Sequence, residues 1–159
     1  MALSNCTCDL GYTGPDGGPC APCAAGTFKS AAGSAECQQC PPDAYAGAGS
    51  SACAACPANS YSLAGSTALA NCTCAAGFGA LAEPFACAAC AAGSAKPAGN
   101  ADCTTCPAGS FANRTAMEAC LTCPADTYST LGSAACEACA ANEFSAPGSD
   151  SAADCECEA

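Results

Sequence analysis

The large apolar side chains of this chain stand singly at regular intervals and form no long run. An aromatic residue follows a cysteine by four or five positions in eight places: Tyr12, Phe28, Tyr45, Tyr61, Phe78, Phe111, Tyr128 and Phe144. The third position after the same cysteines, and after Cys90, holds Gly, Asn or Asp, which tolerate a positive φ. This pattern predicts a turn, a short strand with the aromatic, a second turn at a later glycine, and a return strand. The chain is therefore expected to form two-stranded hairpins without a long helix.

Paired cysteines separate these hairpins. Seven Cys-x-x-Cys pairs begin at positions 20, 37, 53, 87, 103, 120 and 136, and Cys-x-Cys pairs begin at 6, 72 and 155. Successive pairs start 14 to 19 residues apart, which indicates a tandem repeat. The Cys-x-Cys pairs open a longer period: a first super-repeat over 1–71, a second with one extra unit over 72–154, and the start of a truncated third over 155–159. We expect the units to stack into an elongated rod.

The composition requires covalent cross-links. Of 159 residues 20 are cysteine, none is Val, Ile or Trp, and only seven are Leu and five Phe. Ala buries little apolar surface, so an ordinary hydrophobic core cannot offset the cost of ordering the backbone, about 1–2 kcal/mol per residue. Cysteine at this density is typical of disulfide-rich secreted domains. We expect each aromatic ring to pack on a neighbouring disulfide as the small core of its unit.

Three chemistries use the Cys-x-x-Cys spacing, and the rest of the sequence separates them. A tandem zinc array would be intracellular and usually basic, whereas this chain has a net charge of −11 and no His. A redox pair belongs at one helix N-terminus in a βαβ fold, which seven copies in Gly-rich sequence do not fit. Structural disulfides are the prediction, with no metal and no cofactor.

The simplest connectivity joins the second cysteine of each pair to the first of the next. Each bond would close a loop of about 13–17 residues and contribute about 3 kcal/mol. This ladder contains Cys8–Cys20, Cys23–Cys37, Cys40–Cys53, Cys56–Cys72, Cys74–Cys87, Cys90–Cys103, Cys106–Cys120, Cys123–Cys136 and Cys139–Cys155. Cys6 and Cys157 are then left over, as in a segment cut from a longer array. The rival scheme crosses neighbouring pairs, for example Cys20–Cys37 with Cys23–Cys40.

The disulfide prediction implies secretion, and three sequons agree with it. Asn5, Asn71 and Asn113 each begin an Asn-x-Thr acceptor for N-linked glycan, which has meaning only in a secreted chain. Residues 1–4 are too short to be a signal peptide, so we expect a fragment of a longer secreted protein. No apolar run approaches the roughly 18 residues of a membrane span.

The order of motifs resembles the cysteine-rich, EGF-like region of ephrin receptors. That order runs Cys-x-Cys, Gly-Tyr, Cys-x-x-Cys, Gly-x-Phe-Lys and Cys-x-x-Cys-Pro-Pro, and here it occupies Cys6 through Pro42. Single units are also similar to ephrin-receptor-like repeats and to the first loop of tumour-necrosis-factor-receptor modules, in which a bond spans a Gly-x-Tyr loop. That resemblance favours the ladder. Similar arrays occur in large extracellular algal and protist proteins, including those like mastigoneme (flagellar-hair) subunits.

The function expected is a structural segment of an extracellular filament, stalk or cell-surface coat, on a cilium or flagellum in the mastigoneme-like case. The alternative is a ligand-binding or spacer region of a receptor ectodomain. Its partners would be other protein chains or copies of itself, with N-linked and candidate O-linked glycans. The best partner contact is Leu81, Pro84 and Phe85, followed by 114–117. An acidic chain with three basic residues excludes nucleic-acid binding and anionic lipid. The sequence contains no nucleophile–base pair, so it does not predict an enzyme.

Overall fold

The protein is a tandem series of short hairpins. The computed structural model describes residues 6–82 and 85–157. Within them lie eighteen strands and two single-turn 3₁₀ helices, η1 (Leu69–Asn71) and η2 (Ala152–Asp154). The strands are β1 (Tyr12–Thr13), β2 (Ala21–Pro22), β3 (Thr27–Phe28), β4 (Gln38–Gln39), β5 (Ala44–Tyr45), β6 (Ala54–Ala55), β7 (Ser60–Tyr61), β8 (Thr73–Cys74), β9 (Phe78–Leu81), β10 (Ala86–Ala89), β11 (Ser94–Ala95), β12 (Thr104–Thr105), β13 (Ser110–Phe111), β14 (Leu121–Thr122), β15 (Thr127–Tyr128), β16 (Glu137–Ala138), β17 (Glu143–Phe144) and β18 (Glu156–Cys157).

Each odd-numbered strand pairs with the strand that follows it, which gives nine two-stranded sheets. Where the register is defined it is antiparallel, as in Phe28 opposite Gln38. The hairpin of β9 and β10 is the longest, with Phe78 opposite Ala89 and Leu81 opposite Ala86. The predicted fold class, a small disulfide-rich protein of tandem two-stranded hairpins with little regular secondary structure, is confirmed.

Every hairpin begins with a backbone turn of positive φ. The nine residues at the third position after the cysteine have φ between 60° and 84°: Gly11, Gly26, Asp43, Asn59, Gly77, Gly93, Gly109, Asp126 and Asn142. We call these the turn residues. Gly pays no Cβ penalty in this region, and Asx side chains tolerate it better than other residues do. The turns predicted from the sequence are confirmed.

The chain divides into two compact units, Met1–Thr73 and Cys74–Ala159. We number as loops 1–9 the segments between successive ladder cysteines: 9–19, 24–36, 41–52, 57–71, 75–86, 91–102, 107–119, 124–135 and 140–154. Loops 1–4 belong to the first unit, and loops 5–9 to the second. The two super-repeats and the truncated third remain a prediction.

Consecutive loops inside a unit are joined by backbone hydrogen bonds. The N–H of Gly26 in loop 2 donates to the carbonyl of Ala46 in loop 3 over 2.7 Å, and the N–H of Gly49 returns to the carbonyl of Cys23 over 2.8 Å. These two bonds recur between all neighbouring loops within each unit. Because they use only main-chain atoms, they leave the outward side chains free to vary.

The core consists of half-cystines and small residues, and the prediction that the aromatic rings form it is wrong. Cys8, Cys23, Cys40, Cys72, Cys74, Cys90, Cys106 and Cys123 are at most 1% exposed. The aromatic rings are half-buried or exposed, and Tyr12, Tyr61 and Phe144 exceed 40% exposure. In most loops the residue after the aromatic position is buried instead, for example Ala112 at 0%. Successive side chains along a strand point to opposite faces, and the inner face here meets the neighbouring loop.

Candidate functional site: the disulfide ladder and its exposed loops

Nine disulfides tie the loops, and they join the same cysteines as the ladder scheme. They are Cys8–Cys20, Cys23–Cys37, Cys40–Cys53, Cys56–Cys72, Cys74–Cys87, Cys90–Cys103, Cys106–Cys120, Cys123–Cys136 and Cys139–Cys155. Their Cα–Cα distances are 5.5–5.8 Å, in the usual range for a disulfide. Cys20 bonds to Cys8 and Cys40 to Cys53, so the crossed scheme does not occur. Each hairpin brings its two flanking cysteines into bonding range.

The remaining cysteines lie near the chain ends. Cys6 and Cys157 are unpaired and exposed. Within 6–82 and 85–157, no group of three or more His, Cys, Asp or Glu side chains is arranged to hold a metal ion. The other eighteen cysteines lie in the nine disulfides, so the sulfur chemistry that the described residues show is cross-linking.

Both lysines of the chain are buried, which the sequence analysis missed. Lys29 is 4% exposed and Lys96 is 1% exposed. The Nζ of Lys29 donates to the carbonyl of Tyr12 over 2.7 Å, to that of Cys8 over 3.4 Å, and to that of Gly33. An ammonium group has three donors, and here each has a carbonyl acceptor. Lys29 therefore ties loop 2 to loop 1 without a carboxylate partner.

Lys96 repeats this arrangement in the second unit. Its Nζ donates to the carbonyl of Gly99, as Lys29 does to Gly33. Each lysine comes directly after the aromatic position in the second loop of its unit. This shared position in the repeat is the sequence signal from which the burial of the two lysines could have been predicted. One consequence concerns the surface charge: of three basic side chains, only Arg114 is exposed.

Asn71, the acceptor of one sequon, also has a structural part. Its Oδ1 accepts hydrogen bonds from the backbone N–H of Thr67 and Ala68, both over 3.0 Å, and from the Thr67 hydroxyl over 3.1 Å. Asp154 occupies the same place before the next Cys-x-Cys pair. Its Oδ2 accepts from the N–H groups of Asp150 and Ser151 over 2.8 and 3.2 Å. This position thus requires a side-chain oxygen that closes a single helical turn.

Asn113, the acceptor of another sequon, lies on the rim of a concavity. The concavity has a volume of about 370 Å³ and is lined by Asn113, Arg114, Met117, Glu118, Ala119 and Leu121. A second one of about 350 Å³ lies in the first unit and is lined by Tyr61, Ser62, Leu63, Ser66, Asn71 and Thr73. The third sequon residue, Asn5, lies outside the described residues.

The proposed partner contact lies at the end of the longest hairpin. Leu81, the last residue of β9, is 51% exposed, and Phe85 is half-buried. Pro84 lies outside the described residues. The rest of the hairpin is fixed by the bond of Cys74 to Cys87, so Leu81 is presented from a rigid base.

One exposed hydrogen bond perturbs a titrating group. The Tyr128 hydroxyl donates to Oε2 of Glu137 over 2.9 Å, across the pair of β15 and β16. This hydrogen bond raises the pKa of Tyr128 above its ordinary value, and desolvation and the negative charge of Glu137 add to the effect.

Comparison with known proteins identifies one similarity. Residues 11–47 match the family described as "Tyrosine-protein kinase ephrin type A/B receptor-like". This span contains most of loop 1, all of loop 2 and the first part of loop 3. No curated protein matches the chain. A cysteine-rich repeat of this type, with nine disulfides, fits an extracellular structural or receptor-ectodomain segment. None of the described helices is long and apolar enough to cross a membrane.

Proposed function

We propose that this chain is a structural segment of an extracellular filament, stalk or cell-surface coat protein. The observation that supports it is the way the loops are joined. Each loop is closed by its own disulfide and contacts its neighbour through main-chain hydrogen bonds, so cohesion does not depend on the outward side chains. Units that contact mainly their neighbours suit a spacer under load.

This arrangement would protect the chain against proteolytic cleavage and against stretching. Two of the three basic side chains are buried, which removes most sites of trypsin-like proteases. Under tension, each disulfide holds the two ends of its loop together across a sequence separation of 12 to 16 residues. The chain can lengthen only through the few residues between successive bonds.

Pulling single molecules tests this proposal. The chain is held between reference domains and extended before and after mild reduction. With the ladder intact, little length should be released. Reduction should release on the order of 400 Å, at about 3.3–3.6 Å for each residue freed from nine loops. A chain that lengthens equally in both states would not be a disulfide-locked spacer.

A contact with another chain is the second candidate function, as in a receptor ectodomain or a self-assembling coat. Leu81 supports it, because it stands exposed on the longest hairpin. Self-association can be tested by comparing the sedimentation of the wild-type chain with that of the Leu81→Asp variant. Leu131→Asp is the matched control, since Leu131 is 71% exposed on another loop. Association that is absent in the wild type, or lost equally in both variants, would remove Leu81 from the proposal.

The finer assignment is to a large algal or protist protein like a mastigoneme subunit, on a cilium or flagellum. It rests on the resemblance of the repeat and on Ala- and Gly-rich loops. Antibody labelling of unpermeabilised cells would test it. Signal that appears only after the cells are permeabilised would contradict any extracellular assignment.

A further inference from the structure

We propose that Asn113 carries an N-linked glycan, and that its innermost sugar lies in the adjoining concavity and covers Arg114. Asn71 is then the comparison site, which serves as a structural cap and stays unmodified. The inference goes beyond the spacer function, because it assigns a modification and a ligand class, an N-acetylglucosamine-based oligosaccharide.

The sequon at Asn113 has the geometry of an accessible acceptor. Asn113, Arg114 and Thr115 are all exposed, and they lie in the outer part of loop 7 between β13 and β14. The Asn113 side chain makes no hydrogen bond within the described residues. The amide can therefore carry a large group without loss of a native contact, as a surface-loop sequon should.

The attachment is a group transfer. Nδ2 of Asn113 forms a bond to C1 of the first N-acetylglucosamine of a lipid-pyrophosphate oligosaccharide donor. The bond from C1 to the pyrophosphate oxygen breaks, the lipid pyrophosphate leaves, and the amide nitrogen loses one proton. The chain itself supplies the acceptor, and the secretory pathway supplies donor and transferase.

The concavity offers the first sugar a surface of matching character. Leu121 is 46% exposed and forms an apolar wall together with Met117, which is buried. The charged side chains of Arg114 and Glu118 stand on the rim. A pyranose has an apolar face and polar hydroxyl groups at its edge, so mixed walls of this kind suit it. Asn113 on the same rim places the sugar there covalently.

Asn71 is also exposed and lines the second concavity, but the contacts of its sequon differ. Its Oδ1 accepts three hydrogen bonds, and Cys72 in the middle of its sequon is 0% exposed and bonded to Cys56. The last sequon residue, Thr73, belongs to β8. Asp154 occupies the equivalent position before the next Cys-x-Cys pair, and it cannot be glycosylated. The feature that the two positions share is therefore the side-chain oxygen.

The experiment secretes the 159-residue chain from eukaryotic cells and measures its intact mass before and after enzymatic removal of N-glycans. Removal converts each modified Asn to Asp, and peptide masses then identify the site. Thr115→Ala destroys the sequon, while Thr115→Ser keeps it as the matched control. Asn71→Asp preserves the cap oxygen and removes that acceptor.

We expect the wild type, Thr115→Ser and Asn71→Asp to carry glycan at Asn113, and Thr115→Ala to lack it. If both Thr115 variants lost the same mass on glycan removal, the proposal at Asn113 would be overturned. Conversion found at Asn71 would overturn its assignment as an unmodified cap.

Trypsin tests where the sugar lies. Arg114 is the exposed basic residue, and native glycosylated protein should be cut after it at least tenfold more slowly than deglycosylated protein. Leu121→Ser removes the apolar wall and should abolish most of that difference while the glycan stays attached. Equal protection in wild type and Leu121→Ser would show that the sugar does not use the concavity.

Discussion

A Cβ atom placed on Gly93 would lie 2.1 Å from the backbone oxygen of Gly132, two loops further along the chain. The same approach joins Gly11 to Gly49, Gly26 to Gly65, Gly77 to Ala116, and Gly109 to Gly148, at 2.1–2.2 Å. The turn residues that hold Asp or Asn belong to the last two loops of each compact unit: Asp43, Asn59, Asp126 and Asn142. Gly is thus used where a loop two positions ahead packs against the turn.

This relationship predicts opposite tolerance at equivalent turn positions. Gly93→Asn should cost about 2–3 kcal/mol of unfolding free energy, because the new Cβ meets a backbone oxygen. Asn itself tolerates the φ of this position, so the cost isolates the contact. Urea unfolding with intact disulfides measures it.

The matched control is Asp126→Asn, which installs the same residue at a turn in the same unit. Asp126 Oδ1 accepts a hydrogen bond from the N–H of Ser145 over 3.2 Å, and an Asn oxygen can replace it. We expect a change below about 0.5 kcal/mol. Similar losses in the two variants would mean that the contact between alternate loops has no energetic weight.

Ala116 offers a stabilising substitution. It has φ of 58°, in a position where the equivalent loops carry Gly65 and Gly132 at about the same φ. A left-handed Ala costs about 1–2 kcal/mol, and the greater flexibility of Gly in the unfolded chain offsets part of this. Ala116→Gly should raise the melting temperature by a few degrees. Ala119→Gly, also in loop 7, should not; a gain there too would point to another cause.

The buried lysines should be important for stability. Lys29→Met removes the ammonium and leaves the carbonyls of Tyr12 and Gly33 without their donor, at a cost of about 1.5–3 kcal/mol. Arg114→Met, at an exposed side chain, is the control and should change stability little. Mass spectrometry after brief acylation of native protein gives an independent readout: both lysines should remain unmodified until unfolding. Rapid acylation of Lys29 would contradict its burial.

Tyr128 and Glu137 predict a pH dependence at the alkaline end. The folded pKa of Tyr128 lies above the 10.0 of an unperturbed tyrosine, because the protonated hydroxyl donates to Glu137. The pair therefore adds stability below pH 10, and this contribution is lost as pH rises through the raised pKa. Absorbance titration should show Tyr128 ionising earlier in Glu137→Gln. An unchanged titration would mean that the hydrogen bond is not formed in solution.

Alkylation counts the cross-links directly. Native protein should react at Cys6 and Cys157, and the other eighteen cysteines should react only after reduction. A chelator should not change the count, because each remaining sulfur lies in a disulfide. If chelation alone exposed most thiols, a metal-bound array would replace the disulfide ladder.

The local structure of each loop could be predicted from the amino-acid sequence alone. Turn residues of positive φ, short strands and cysteines at the ends of each hairpin follow from neighbours in the chain, so positions such as Asp43 and Gly93 could be read without a structure. Cys23 and Cys37 could be proposed as partners by the simplest connectivity and by the family resemblance, but the sequence left the crossed scheme open. These features depend on contacts within a single loop.

The contacts between loops could not be predicted from the sequence, because they depend on the three-dimensional packing of the loops. The burial of Lys29, the exposure of Tyr12 and the close approach of Gly93 to Gly132 depend on how separate loops stack, and the repeat spacing does not encode those distances. The composition predicted that the aromatic residues form the core. Main-chain hydrogen bonds and half-cystines fill the interior instead, because loops this short can approach closely only where side chains are small, or where a flexible chain such as that of Lys29 reaches carbonyl groups.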